Sequence, residues 1–425
     1  MRIILAFTFV IGFTLRAENW PMWRGASGNG ISLEKNLPER WSATENIAWK
    51  IALPDRGNST PVIWGDRIFL TQPLETENRR TLLCLDRRNG KVLWQRGVKY
   101  VAKEETHRLN PYCSESAATD GERVIAAFGS AGVFCYDFAG KLLWKRGDLG
   151  RIVFEWGSAA SPVIHGNRVY IYRGPSKAAH LLALDKRTGK TLWRADDPVV
   201  KTVGRTDGFR GNRDTSYWVC SYATPLVIPN GGGEAVLMTP PGAVRAHDPA
   251  TGKVMWSCGG LNPLVYASPN FGEGVVVAMG GFLGTSLSVR AGGKGDVTQS
   301  HRLWQSVRTA NRLGSGVIHD GHFYVLNTPG ILECLELKTG KSIFSERLRG
   351  RGPKGESWSS MLLAGDRIYI PNQSGDTFVV RAAPKFELIA TNPLDRTLTN
   401  SSLAASNGQF FLRTHQHLWC IGKKD

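Results

Sequence analysis

The sequence predicts an all-β protein: an eight-bladed β-propeller of four-stranded antiparallel blades, its ring closed by an N-terminal strand. Three observations predict it. A glycine-led strand phrase returns eight times, and a second phrase ending in Gly-Lys and an aromatic follows most copies. The two ends of the repeat region also carry complementary fragments of one repeat. Self-similarity at a period of a few tens of residues marks architectures whose units bury their apolar faces only against their neighbours.

The first phrase is a turn glycine, a polar residue and a short run of β-branched and aromatic residues. It reads GDRIFL from Gly65, GERVIAAF from Gly121, GNRVYIY from Gly166 and GEAVLM from Gly233. It returns as GEGVVVAM from Gly272, GHFYVL from Gly321, GDRIYI from Gly365 and GQFFL from Gly408. Such residues favour strands, and the glycine supplies the left-handed backbone of a tight turn.

The second phrase is an apolar strand, a turn, Gly-Lys and an aromatic. It runs to Trp94, Trp144, Trp193, Trp256 and Phe344, with a degenerate copy at Trp304. A short loop ending in glycine suits a hairpin, and the aromatic ends an outer strand, where it can pack on the neighbouring blade. Before most glycine phrases sit small residues: Ser59-Thr60, Ser161, Ala267-Ser268, Ser315, Ser359-Ser360 and Ser401-Ser402. They suit innermost strands crowded about an axis. Four strands per repeat is blade arithmetic.

The segment Asn46-Ile47-Ala48-Trp49-Lys50 is an outer-strand phrase with no blade before it, and the last copy, Ser401 to Ile421, lacks an outer strand. The early segment therefore supplies the last blade's missing strand, which removes an exposed edge. On this reading residues 1–17 are a leader, 18–45 an extended segment and 46–425 the propeller. No long window has helical periodicity, which excludes a helical solenoid, and a two-sheet sandwich gives no reason for eight copies.

With 53 Lys+Arg against 36 Asp+Glu the chain carries a formal charge of +17. The basic residues are spread out, in short pairs such as Arg79-Arg80 and Arg87-Arg88, with no basic helix, zinc spacing or RNA-binding aromatic signature, so a nucleic-acid partner is not expected. The start, MRIILAFTFVIGFTLRAENW, has a positive Arg2, an apolar stretch and the small Ala17, and reads as a secretory signal. Its roughly 13 apolar residues fall short of the ~20 that a membrane helix needs. A periplasmic or secreted protein without a transmembrane segment is expected.

The run Leu182-Ala183-Leu184-Asp185-Lys186-Arg187-Thr188-Gly189-Lys190-Thr191-Leu192-Trp193 resembles the turn of the PQQ-like (pyrrolo-quinoline quinone) repeat family, L-x-A-L-D-x-x-T-G-K-x-x-W. The resemblance covers residues 46 to 425, and Trp20-Pro21-Met22-Trp23-Arg24-Gly25 is similar to the lead-in of many exported members. It implies one of two branches: quinoprotein dehydrogenases, which bind PQQ with calcium, or the outer-membrane protein assembly lipoprotein, a scaffold without cofactor. Against the first, no two of the seven cysteines are adjacent, as that branch's disulfide requires, and no Asp-Tyr-Asp cluster offers a base and calcium ligand. The chain is also shorter than that branch's typical members. PQQ with calcium is therefore disfavoured and no cofactor is expected.

Other candidates have plain explanations. Cys84, Cys135 and Cys334 precede an acidic residue by two, where Ala183 and Ala246 stand in other repeats, and Cys420 holds the place in the last; this is a small buried strand position. Cys113, Cys220 and Cys258 fall outside that pattern, leaving open a Cys113–Cys220 bridge in an oxidising compartment. His415 and His417 could form half a metal site but lack a third ligand. Gly292-Gly293-Lys294-Gly295-Asp296 lacks the spacing and following helix of a phosphate loop and reads as a hairpin loop. The serine-rich strand starts have no glycine-flanked elbow or base, so no catalytic residue is assigned.

The long insertions, 99–112, 196–220 and 346–358 with 72–80, fall on one end of the ring. Long loops on a rigid ring are where recognition resides, and Tyr112, Arg213, Trp218 and Trp358 are the expected binding residues at the channel mouth. The function expected is an exported, non-catalytic binding or scaffold propeller, monomeric, with an envelope or extracellular protein or glycan as partner. The alternatives are a PQQ-dependent quinoprotein oxidoreductase and a glycan-processing propeller.

Overall fold

The computed structural model describes residues 18–176, 178–200, 219–281, 284–307 and 311–423. Eight antiparallel four-stranded sheets follow one another at 62–99, 118–146, 163–196, 226–259, 270–306, 317–347, 362–392 and 404–421, the last completed by Ile47–Ala52. Each of the eight glycine phrases opens the second strand of a blade. These second strands are buried on both faces, as in Arg67–Leu74 and Val275–Met279, because a neighbouring blade covers each side. Outer strands such as Val92–Lys99 are half exposed, and their apolar content falls accordingly.

The Gly-Lys-x-x-Trp phrase is a stitch between blades. Indole Nε1 of Trp49, Trp94, Trp144, Trp193 and Trp304 each donates, at 2.9–3.0 Å, to a carbonyl in the next blade's hairpin: those of Arg87, Phe138, Lys186, Pro249 and Leu337. The ring lies on that hairpin's glycine, where φ is +70° to +85° and a Cβ would come 2.5–2.9 Å from ring atoms, so the turn requires glycine twice over. In seven of the eight blades the aromatic pairs with a small residue on the third strand: Cys84 with Trp94, Cys135 with Trp144, Ala183 with Trp193, Ala246 with Trp256, Ser288 with Trp304, Cys334 with Phe344 and Cys420 with Trp49.

Closure follows the expected route. Ile47, Trp49, Lys50, Ile51 and Ala52 pair antiparallel with Ile421, Cys420, Trp419, Leu418 and His417. Trp49 then docks on the Gly90 hairpin of the first blade, so the seam carries the same stitch as the junctions made by Trp94, Trp144, Trp193 and Trp304.

A second ring closes at the axis. The backbone N–H of Thr60 donates to Ser116 Oγ, that of Ser116 to Ser161, Ser161 to Thr224 and Thr224 to Ser268. The chain continues from Ser268 to Ser315, Ser360 and Ser402, and Ser402 N–H returns to Thr60 Oγ1. Each blade thus bonds the next through one hydroxyl, which explains the small polar residues at the inner strands; Ser116 and Thr224 are the two members that the sequence pattern did not expose. Ser315→Ala should cost about 1–3 kcal/mol, the penalty of a buried unpaired N–H. Ser116→Ala, beside a cavity where water can replace the hydroxyl, should cost under about 1 kcal/mol. Equal losses in urea melts would mean the ring is not dry at Ser315.

Two local expectations are corrected. Residues 291–301 do not make a plain hairpin loop: Gly295–Asp296 adds a parallel edge strand to Trp256–Ser257 of the preceding blade, and one helical turn, Thr298–His301, follows. With the ordinary turn replaced by this edge strand and helical turn, Trp256 Nε1 instead donates to Asn230 Oδ1 in its own blade. Cys113 and Cys220 are both buried free thiols, so the bridge left open is not formed. Burial pushes the Cys113 thiol up to about 12. Residues 1–17 lie outside the described residues. Among those described, no helix is long and apolar enough to cross a membrane.

Candidate functional site

One end of the channel is sealed by residues 18–34. Trp20 bridges to Ile63 of the first blade, and Pro21 O accepts from Thr119 N of the second. Met22 packs on the cluster between the third and fourth, and Asn29 Oδ1 accepts from Phe271 N of the fifth. Ile31–Ser32 pairs in parallel with Leu363–Ala364 of the seventh, and Glu18 and Glu34 take Ser406, Asn407 and Gly408 of the eighth. Arg24, fully buried with φ +65°, donates to Asn29 O, Asn270 Oδ1 and Gly316 O, tying the plug to the fifth and sixth blades. These partners are all neutral, and burial pushes the guanidinium down to about 9.

The other end opens as a cup of about 200 Å³ whose base is Trp23 and the hydroxyl ring. Strand geometry builds its wall. Successive side chains on a strand face opposite ways, so the residue two before each ring hydroxyl faces the axis one tier higher. That second tier is Asn58, Ser114, Ala159 and Tyr222, then Tyr266, Leu313, Trp358 and Asn400, and all of them line the cup. Loop residues His107, Asn110 and Trp156 complete it.

The aromatics are preorganised. Tyr222 stacks on Tyr266 with centroids 5.4 Å apart, Trp156 lies 5.9 Å from Tyr266, and His107 stacks on Trp358 at 5.9 Å. The loop carrying His107 crosses the mouth because Asn58 and Asn400, from the first and eighth blades, both donate to Leu109 O, while Asn110 donates to the carbonyls of Trp156 and Ser158. Carboxylates near the cup are turned into its wall. Glu115 Oε1 accepts from Gly129 N and Ser158 Oγ, and burial raises its pKa; Glu104 Oε1 accepts from Ser130 N.

Of the four expected binding residues, Trp358 lines the cup. Tyr112 stands off it, its ring under the Arg80 guanidinium at 3.5 Å and its hydroxyl donating to Glu104 O. Arg213 and Trp218 lie outside the described residues. Trp156, Tyr222 and Tyr266 were not singled out, although the two-residue spacing of Tyr266 from Ser268 is a signal that finds it. No described group of three or more His, Cys, Asp or Glu could hold a metal ion. His415 instead bonds Asn58 Oδ1 through Nε2, and His417 lies 3.1 Å from Asp395.

His415 gives a pH prediction. Burial, then Arg413 and Arg56, push it down to about 4. Its folded pKa is below the unfolded value of ~6.5, so the stability tied to neutral His415 is complete above pH 6.5 and is lost as pH falls toward 4, by up to about 3 kcal/mol. His415→Asn should flatten melts across that window; an unchanged slope would assign the acid sensitivity elsewhere.

Among the described residues, a closed ring, a plugged floor and an open mouth define the class: a β-propeller with an axial cup. A profile of the PQQ-type repeats, described as outer membrane protein assembly factor BamB, matches residues 40–146, 78–346 and 242–418, and the chain belongs to that family. No curated protein matches the sequence significantly. Among solved structures, BamB from Moraxella catarrhalis is similar at 14% identity and TM-score 0.59, over 88% of this chain and 96% of that one. The computationally designed protein Ika8 has 11% identity and TM-score 0.61 over 89% of this chain and 100% of that one. Quinohemoprotein alcohol dehydrogenase from Comamonas testosteroni has 12% and 0.53 over 95% and 80%. At such identities the likeness is one of fold.

Proposed function

We propose that this protein is a non-catalytic recognition propeller of the cell envelope, acting outside the cytoplasm, whose axial cup captures a group presented by a glycan or protein partner. The observation that carries the reading is, among the described residues, a blind, aromatic-walled cup at the end of the channel opposite residues 18–34. The family's description as an outer membrane assembly factor and the leader-like first 17 residues support an envelope location. Function without PQQ or calcium is supported by the donor set: no described lining residue is Asp, Glu, Lys or Arg, whereas a tricarboxylate quinone and a divalent ion both need charged partners. The protein acts as a monomer, and its binding residues are Trp156, Tyr222, Tyr266 and Trp358, with Tyr112 bracing the wall; Arg213 and Trp218 are kept as further binding candidates from the sequence.

The test is capture of envelope components by the mature protein. Trp156→Ala and Trp358→Ala should each weaken capture at least tenfold, with melting temperatures held near the parent's. PQQ with calcium should neither bind saturably nor support dye reduction. Capture that survives both substitutions, or micromolar quinone binding with turnover, would overturn the reading.

A further inference from the structure

The cup's base is unusual in one respect. Seven of the eight ring hydroxyls line it: those of Thr60, Ser116, Ser161, Thr224, Ser268, Ser360 and Ser402. Each accepts a neighbour's N–H, and none donates to a protein group among the described residues. The eighth, Ser315, donates to Ser268 O, and it is the one ring member outside the cup. The base is therefore a crown of fixed oxygens, each with an O–H proton still to give.

From this base and the walls above it we infer that the occupant is a neutral six-membered sugar ring, the end residue of a glycan. The inference rests on the recognition reading above and deepens it. Size comes first: a cavity of 150 Å³ accepts benzene, so a cup of about 200 Å³ holds one substituted ring, with the rest of a chain left outside the open mouth. The walls come second. The C–H edges of a pyranose suit the negative faces of Trp156, Tyr266 and Trp358. The crown comes third. Sugar hydroxyls both accept and donate, matching groups that offer a proton and a lone pair. A hydrocarbon or phenyl side chain would instead strip water from up to seven O–H groups and return nothing. An anion would find donors, but no described lining cation to offset its desolvation.

The experiment titrates the mature protein with glucose, galactose, mannose, N-acetylglucosamine and short oligosaccharides ending in each, followed by tryptophan fluorescence and calorimetry. Phenol and inorganic phosphate serve as probes of the rival chemistries. One sugar should bind saturably, with a Kd that changes less than twofold between 50 and 500 mM salt, since a neutral ligand is not screened. Chains ending in that sugar should bind at least as well as the free ring. Trp156→Ala should weaken it at least tenfold, and Ser116→Ala and Ser268→Ala about threefold to tenfold; Trp156→Phe, expected to fold if Ala does not, should retain most of it. If phenol binds in a Trp156-dependent way while no sugar does, the sugar assignment fails and the recognition reading stands. Salt-sensitive phosphate binding without sugar binding also overturns it. Should no probe bind the folded protein, and no envelope component be captured, both readings fall.

Discussion

Deleting residues 18–52 is expected to abolish cooperative unfolding and drive the protein into aggregates. The deletion removes three things at once. The first is the outer strand Ile47–Ala52 of the eighth blade, whose loss exposes the backbone edge of His417–Ile421. The second is the seam stitch of Trp49 on the Gly90 hairpin. The third is buried aromatic surface: Trp41 packs against Tyr369 and Phe410, with Phe410 5.6 Å away, and Trp20 is 1% exposed. Each large side chain is worth about 3–5 kcal/mol on truncation, so together they exceed much of the ~5–15 kcal/mol that holds a typical domain folded. An exposed, mostly apolar edge then templates association. Size-exclusion chromatography and urea melts would read the outcome. A truncated protein as monodisperse and cooperative as the parent would show that the ring closes without this segment.

Arg413→Met is expected to cost about 3–5 kcal/mol, the range of a buried polar network losing its centre. Arg413 comes from the second strand of the eighth blade and reaches across the seam into the first. Its Nη1 donates to Ser59 Oγ at 2.9 Å and Thr71 O at 2.7 Å, and its Nη2 to Gln72 Oε1 at 2.8 Å and Asp55 O at 3.3 Å. The group is fully buried among neutral acceptors, and burial pushes its pKa down to about 10. Met fills the volume but leaves Gln72 Oε1 dry and unpaired and strips one donor each from Ser59 Oγ, Thr71 O and Asp55 O, of which Thr71 O keeps Ser59 Oγ and Asp55 O keeps Gln72 Nε2. Arg413→Lys keeps the charge without the planar fork, so it should lose roughly half as much. Gly57→Ala should act on the same clasp, since a Cβ there would lie 2.2 Å from the guanidinium. A loss below about 1 kcal/mol for Arg413→Met in urea melts would mean that the seam is held by strand pairing alone.

The fold was legible because each blade repeats its own grammar locally. A glycine phrase, a Gly-Lys turn and an aromatic at fixed offsets recur from Gly65 to Gly408, and a fragment such as Asn46–Lys50 is recognisable as one piece of that grammar. The Cys or Ala opposite each aromatic was legible for the same reason. Arg413 was not, because nothing near it in the chain names Ser59, Thr71 or Gln72. Arg24 looked like part of a lead-in phrase, and only its contacts with Asn270 and Gly316, more than two hundred residues away, make it a plug.

The cup stands between these cases. Trp358 was reachable from its long loop, whereas Tyr112, from an equally long loop, turned to stack beneath Arg80. Loop length places a residue near the mouth but does not orient its side chain. Tyr266 was readable in principle, two residues before the recognised Ser268, whereas Tyr222 was not, because its anchor Thr224 stood outside the recognised pattern.

By itself, then, the sequence determined the repeat, the count of blades, the strand that closes them and the small residues at the axis, because these depend on periodic pattern and local turn chemistry. Only the tertiary structure decided that the hydroxyls join into one hydrogen-bonded ring, that residues 18–34 seal one end, and that Trp156, Tyr222, Tyr266 and Trp358 meet above it. Those features are convergences of segments from different blades upon an axis, and an axis exists only once all eight blades are in place.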